Sequence, residues 1–414
     1  MNQNNKHDCA VVIFNDTWGE IDTILPLIKK FKNKKRIKII SIFRNQQNFE
    51  NKSRFRDLMH ILNKISFEIY TPKNTLYHRL IQNLFYLLRH NFFSLIKIIT
   101  FIILFKNINE IDENLFIQRI LKKYNVKYIF SGQASPANKE WLELNYKKLI
   151  FFPQAITLRG FKFRKKRNFD FKKYDLERKK KYLNYQIYPD NSIFLTNDQS
   201  EKNYFKKYLP KNFKFNNIGY LRLNSLWIKE KKNIFNKNKK NKKKYIFVLL
   251  GKESYLGKNE IRIKFKNILN TARDNKISVL YKFHPKSVFD LSKIINDYKD
   301  VHIEESTNSV LYDALKSEII VVTSKTGSSM DCIKISKPVL DYYNVGNKIK
   351  LNIQNEFRIN KKITTLYRYY GLVYPVNNCY ELKKNIYKIL NNKQFKKRIV
   401  SSQKKSLKKY LNFN

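Results

Sequence analysis

Between Ser278 and Asn344, two apolar runs of strand length each end in polar punctuation, and this pattern restricts the fold more than any other stretch. The first, Val279 to Phe283, is followed by His284-Pro285-Lys286. The second, Glu318 to Val322, is followed by Thr323 to Ser329, a small hydroxyl-rich loop with one glycine, and then by a helical pattern. Short apolar runs separated by helical spacers predict an α/β fold with a parallel sheet, whose ligands bind at the carboxyl ends of the strands. Backbone N–H groups at a helix start, with Ser and Thr hydroxyls beside them, form an anion site. The stretch therefore offers a phosphate cradle and an imidazole on neighbouring strand ends.

The same alternation runs through the rest of the chain. Ala10 to Phe14 reads as a buried strand, followed by the loop Asn15 to Glu20 and a helix with Ile21, Ile24, Leu25 and Ile28 on one face. Further strands are expected at Arg36–Ile42, Lys127–Phe130, Lys148–Phe152, Ser192–Leu195 and Lys244–Leu250, the last ending at Gly251-Lys252. At 414 residues the chain is too long for one ordinary core and suggests two domains. We place them at 1–228 and 244–379, joined by the Lys/Asn tract 229–243 and followed by a basic helical segment, 380–414. Residues 80–105 interrupt the alternation. Leu80, Leu84, Leu87 and Leu88 have helical spacing, and Phe92 to Phe105 is almost wholly apolar. That run is shorter than the ~20 residues a membrane span needs, so it reads as an interfacial helix or as a buried one.

Composition removes several function classes. Three scattered cysteines (Cys9, Cys332, Cys379) have no metal or redox spacing, which points to a reducing, cytoplasmic setting and to no metal or cofactor. No GxGxxG or GxxxxGK[ST] occurs, and the chain has only nine glycines. With 84 Lys and Arg against 33 Asp and Glu, the formal charge is +51. The excess is mostly lysine spread along the whole chain, alongside abundant Asn, Ile, Phe and Tyr, residue types that share A/T-rich codons. It is read as largely compositional. It favours anionic ligands or the anionic inner face of a membrane, with no signature of specific nucleic-acid recognition.

Four stretches in order resemble a known group. Ile193 to Gln199 is similar to its strand and helix start, and Gly219 to Arg222 to its G-x-P-R turn, with Leu221 at the proline. Tyr281 to Pro285 resembles R-x-H-P, and Val321 to Asp341 resembles a T-D-Y-S-S…K-P pattern through Ser328-Ser329 and Lys337-Pro338. The group is the GT-B transferases of bacterial surface polymers, among them the CDP-glycerol glycerophosphotransferases and the capsule and lipopolysaccharide transferases that use CMP-sugars. The resemblance covers about 190–344. It implies two Rossmann-like parallel-sheet domains facing a cleft, the first on the acceptor side and the second binding a nucleotide sugar. Two departures, Pro153-Gln154-Ala155 where the glycerophosphotransferases carry a catalytic histidine and Lys325-Thr326-Gly327 for Asp-Tyr, favour sugar transfer over glycerophosphate transfer.

In such enzymes the HP histidine, here His284, holds the donor phosphates and protonates the leaving group, a role suited to imidazole near neutral pH. Thr326, Gly327, Ser328 and Ser329 would hold the phosphates, although Ser is also an ordinary helix cap. Gly251, Lys252, Lys282, Pro285 and Lys286 would complete the donor site, with Asp331 on a ribose or as a first-turn helix acid. Asp16 and Glu20 are candidate bases, or else helix-start acids. Gln154, Arg159 and Arg222 would face acceptor or cleft. The expected activity is metal-independent transfer from a CMP- or UDP-linked sugar to a glycan or glycolipid acceptor, by an enzyme in the cytoplasm or at the inner membrane face. The alternatives are polyol-phosphate transfer, a UDP-sugar 2-epimerase-like reaction, or a basic membrane-surface or nucleic-acid-binding protein.

Overall fold

The computed structural model describes residues 9–14, 20–35, 37–44, 49–50, 55–71, 115–124, 126–132, 148–153, 192–209, 211, 213–237, 244–251, 256–284, 290–324, 326–344, 356–359 and 362–413. The apolar run 92–105 and the candidate residues Asp16, Gln154, Arg159, Lys252, Pro285 and Lys286 lie outside them.

Seven strands form the first sheet: β1 (Cys9–Phe14), β2 (Lys38–Phe43), β3 (Glu68–Tyr70), β4 (Val126–Gly132), β5 (Lys148–Phe152), β6 (Ser192–Thr196) and β7 (Lys214–Asn217). Their order is β3-β2-β1-β4-β5-β6-β7, every pair parallel. The second sheet contains β8 (Tyr245–Leu249), β9 (Ser278–Lys282), β10 (Ile303–Glu305), β11 (Ser317–Val322), β12 (Val339–Tyr342) and β15 (Tyr374–Val376). It runs β10-β9-β8-β11-β12-β15, again all parallel. A separate antiparallel pair, β13 (Glu356–Ile359) and β14 (Lys362–Thr365), lies between β12 and β15 in the chain.

The continuous apolar runs become the central strands because both faces of each sheet are covered. Along β1, Cys9, Val11 and Ile13 enter one core while Ala10, Val12 and Phe14 enter the opposite one. Along β8, Ile246 and Val248 separate in the same way from Tyr245, Phe247 and Leu249. This is the two-residue period of a strand sandwiched between two layers. The expected helix after β1 is α1 (Glu20–Lys35), with Ile21, Ile24, Leu25 and Ile28 buried. Helix α2 (Arg56–Ile65) buries Leu58, Ile61, Leu62 and Ile65 on the same side. Helix α3 (Gln199–Tyr208) starts at Asp198, whose carboxylate accepts the Glu201 amide at 2.6 Å, as the Asn-Asp-Gln-Ser spelling predicts.

The sheets are joined by α4 (Ser225–Lys237), which extends nine residues into the tract read as a linker. Trp227 packs into the first sheet's core and Ile228 into the second's. Lys231, one of the tract's many lysines, is fully buried and donates to Asp57 Oδ2 at 2.7 Å. Asp57, on α2, also accepts the Ser309 amide (2.8 Å) and hydroxyl (2.5 Å) from the second sheet's side. Beside it the Arg56 amide donates to the Thr307 carbonyl at 3.2 Å. Burial alone would raise the Asp57 pKa, but Lys231 and the two Ser309 bonds bring it below the ordinary carboxylate value.

Helix α5 (Lys258–Asp274) and, later in the chain, α8 (Cys379–Asn391) and α9 (Lys393–Phe413) complete the cores of the second sheet. On α9, Gln403 pairs its amide with both backbone groups of Val339, at 3.1 and 2.7 Å. Among the described residues no helix is long and apolar enough to cross a membrane.

Removing Lys231 leaves a buried carboxylate without its cation, which costs about 3–5 kcal/mol when one partner of a buried pair is deleted. Lys231→Ala should lose that much in urea unfolding at neutral pH. A loss comparable to that of an exposed lysine such as Lys397 would contradict the pairing described.

Candidate active site

In a sheet ordered 3-2-1-4, the crevice for a ligand opens between the first and fourth strands, where successive connections leave in opposite directions. Here those crevices lie beyond β1/β4 in one sheet and β8/β11 in the other. Loops following strands of each sheet touch one another. Asp57, after β2, meets Ser309, after β10, and Asp22 at the start of α1 meets Arg222, which also bonds Asp331 in α7 (Ser328–Lys334). The carboxyl ends of the two sheets thus face each other.

The second sheet's crevice is tightly made. The Gly251 amide donates to Thr323 Oγ1 at 2.7 Å, and the Thr323 amide donates to the Leu249 carbonyl at 3.1 Å. A Cβ on Gly251 would lie 2.8 Å from Ser324 Oγ and from Leu256 Cδ1. Gly251 is therefore glycine because the loops after β8 and β11 touch there. Beyond, the Ser328 amide donates to Thr326 Oγ1 (3.3 Å) and the Ser329 amide to the Thr326 carbonyl (3.2 Å), which winds Thr326 to Ser329 into the first turn of α7. The buried Ser329 Oγ has no hydrogen-bond partner among the described residues and lines a small cavity with Thr326, Asp341, Tyr343 and Thr365. Asp341 is anchored by Arg368 Nε at 2.7 Å. His284 lies two residues beyond β9, half-buried.

Lys282, the last residue of β9, has a definite occupation. Its ammonium donates to Ser306 Oγ at 2.9 Å and to the Asn308 carbonyl at 2.6 Å, and sits 4.7 Å from the Phe55 ring centre. Burial lowers its pKa, against the charges of Asp313, Asp57 and Glu305. Asp313, on α6 (Val310–Lys316), is wholly buried and accepts hydrogen bonds from Ser306 and, at 3.4 Å, from Asn308. Its carboxyl is pushed up to about 6 by burial, opposed by Lys282 and the Ser306 bond. Lys282 thus holds the loop between β10 and α6 against its own strand, one residue away from the histidine peptide.

Gly251 meets the loop after β11 at Thr323 and Ser324, and Thr326, Gly327, Ser328 and Ser329 form the turn that follows it. Arg222, a cleft candidate, and Asp331, expected on a ribose or as a first-turn helix acid, are buried against each other with Asp331 in the first turn of α7, and Arg222 Nε lies 3.6 Å from Asp22 Oδ2. Glu20 is fully buried as the first residue of α1. Sequence reasoning passed over Asp57, Lys231, Ser309 and Asp313. The available signal was the scarcity of acids: in so basic a chain, an Asp beside apolar helix positions, as in Arg56-Asp57-Leu58 or Tyr312-Asp313-Ala314, must select a cation to accompany it inside.

No family model matches the sequence, and no curated protein matches it. The structure is similar over nearly its whole length to solved proteins. UDP-GlcNAc 2-epimerase of Neisseria meningitidis, bound to UDP-GlcNAc, has a TM-score of 0.53 at 11% identity, over 98% of this chain and 99% of that one. The Methanocaldococcus jannaschii UDP-GlcNAc 2-epimerase, with UDP-GlcNAc and UDP, gives 0.51 at 16%, over 98% and 100%. UGT2 of Phytolacca americana, with UDP-2-fluoroglucose and pterostilbene, gives 0.52 at 9%, over 97% and 94%.

The Asp313 carboxyl gives a pH test. Its pKa is raised in the folded state from 3.8 to about 6, so its contribution to stability is complete below 3.8 and is lost as pH rises through about 6. A shift of about two units corresponds to roughly 3 kcal/mol. Asp313→Asn should flatten the pH 4–6 limb of the stability profile by that amount; superimposable profiles would show that the group titrates normally. On the topology of both sheets and these similarities, the chain has a GT-B-like fold of two parallel-sheet α/β domains.

Proposed function

We propose that this protein is a nucleotide-sugar enzyme, a metal-independent transferase that moves a sugar from a CMP- or UDP-linked donor to a glycan or glycolipid acceptor. The observation that carries this reading is the opposition of the two sheets' carboxyl ends, with the Gly251–Thr323 contact and the Thr326–Ser329 turn in the second crevice. The donor phosphates would be held by Gly251, Lys252 and the hydroxyls of Thr326, Ser328 and Ser329, together with His284, Pro285 and Lys286. Lys282 is assigned a positioning role, because two of its three donors are already engaged with Ser306 and Asn308.

In transfer, the acceptor oxygen attacks the anomeric carbon as the bond from that carbon to the phosphate oxygen breaks. The departing nucleotide takes the electron pair, and positive groups fixed in a dry crevice stabilise it. The acceptor proton must pass to a base on the first domain. A fully buried carboxylate cannot meet an incoming hydroxyl, so we assign that role to Asp16, four residues earlier in the sequence, rather than to Glu20 itself. Gln154 and Arg159 would flank the acceptor.

Epimerisation at C2 of UDP-GlcNAc is the second reading, favoured by the similarity to two epimerases solved with that ligand. The readings separate in one experiment. Thermal shift against CMP, CDP, UDP, GDP and their sugars should show stabilisation by one base family, reduced in Ser328→Ala/Ser329→Ala, since a ligand that binds only the folded state raises its melting temperature. The stabilising nucleotide sugar is then incubated without acceptor. Conversion to its C2 epimer establishes epimerisation, whereas an unchanged sugar that is consumed only with a glycan acceptor establishes transfer. His284→Ala should abolish turnover with native circular dichroism. Full activity in that variant, or no shift with any nucleotide, would end the proposal.

A further inference from the structure

A second concavity opens where α2, α4 and α6 converge. It has a volume of about 910 Å3, within the range of pockets that enclose a small organic ligand. None of its lining residues belongs to the loops after β8, β9 or β11.

Its chemistry is one-sided. Helix α2 presents Arg56, His60 and Lys64 to it, spaced four residues apart and hence on one helical face. Lys316, in the last turn of α6, faces them from the second sheet. None of these four is in an ion pair among the described residues. The two acids in the lining are already engaged: Glu230 with Lys29 at 2.7 Å, and Asp57 with Lys231 and Ser309. Asn233, Asn308 and Tyr312 add uncharged polar lining. A lysine-rich chain scatters cations over its convex surface. What distinguishes this place is that guanidinium, imidazole and two ammonium groups line one cavity whose carboxylates are already paired.

We propose that this groove binds a phosphate ester of a sugar, as a site separate from the donor crevice. Arg56 supplies the planar fork that matches phosphate oxygens, while Lys64 and Lys316 act as point charges. The asparagines and Tyr312 suit the hydroxyls of an attached sugar, and the volume exceeds what inorganic phosphate alone would fill. Because α2 belongs to the first sheet and α6 to the second, a ligand held by Arg56 and Lys316 together favours the arrangement in which the two are close. It acts on the same joint that Asp57 and Ser309 hold.

The test is calorimetric titration of the full chain with glucose 1-phosphate, pyrophosphate and glucose. Wild type should bind glucose 1-phosphate, more weakly as salt rises, and should not bind glucose. Arg56→Ala/Lys64→Ala and, separately, Lys316→Ala should weaken binding at least ten-fold while leaving the melting temperature and the nucleotide-induced thermal shift unchanged. A control, Lys397→Ala/Lys405→Ala, removes two exposed charges from α9. Equal weakening in the control would show that net charge alone attracts the anion, and would overturn the proposal. So would wild-type affinity in the groove variants, no binding by wild type, or pyrophosphate binding with none of glucose 1-phosphate. Loss in Ser328→Ala/Ser329→Ala but not in the groove variants would place the anion in the donor crevice and equally refute a second site.

Discussion

A carboxylate taken out of water must bring a cation with it, and in this chain that requirement decides which of its many basic residues are interior. Asp57 selects Lys231, Asp331 and Asp22 share Arg222, and Asp341 takes Arg368. Two of these pairs also fix backbone: Asp57 holds the Ser309 amide, and the guanidinium that pairs with Asp341 bonds the carbonyls of Asp341 and Tyr343. Such pairs add little net stability compared with an apolar replacement, but breaking one is expensive, so they specify geometry more than they strengthen it. Here two of them specify how one sheet meets the other.

That specification is what gives the crevice its form. Two 3-2-1-4 sheets could each present a switch point to solvent, independent of the other. The Asp22–Arg222–Asp331 cluster ties the start of α1 to α7, the helices that follow the first strand of one sheet and the fourth of the other. The turn from Gly219 to Arg222, which the sequence offered as part of a motif, therefore has a structural function that its letters do not display. Gly219 has φ of +71° with open space around it, so glycine is required there by the backbone rather than by crowding. At Gly251 the reverse holds, and crowding by Ser324 is the constraint.

Strands and helices were largely legible because burial on both faces writes an unmistakable apolar run, as in β1 and β8, and because one-sided burial gives α1 its spacing. The hydroxyl loop and Gly251 were legible for the same reason: small residues after a strand mark close approach. Lys231 was not legible. It stands in a tract of similar lysines, and only the position of Asp57, 174 residues away in the chain, makes it different. The position of Lys282 two residues before His284 suggests a ligand contact, and nothing in that spelling shows that its ammonium also reaches back to Ser306 and Asn308. Local sequence places a side chain at a strand end; it does not say which neighbouring loop will claim its donors.

The surplus of positive charge gives these few acids a further importance. At a formal charge of +51 the chain repels itself, and bringing two basic domains together concentrates that repulsion at their meeting surface. Acids at the joint relieve it locally, and they do so from buried positions where salt screens them poorly. A bound phosphate between the domains would act with the same sign as Asp57 or Asp331, adding negative charge where two positive surfaces approach. The acids present hold the carboxyl ends opposite one another, while Arg56, Lys64 and Lys316 are left facing a cavity whose own acids are already taken. On the proposal above, an anion held between the domains would supply negative charge at a place where the buried acids are already neutralised.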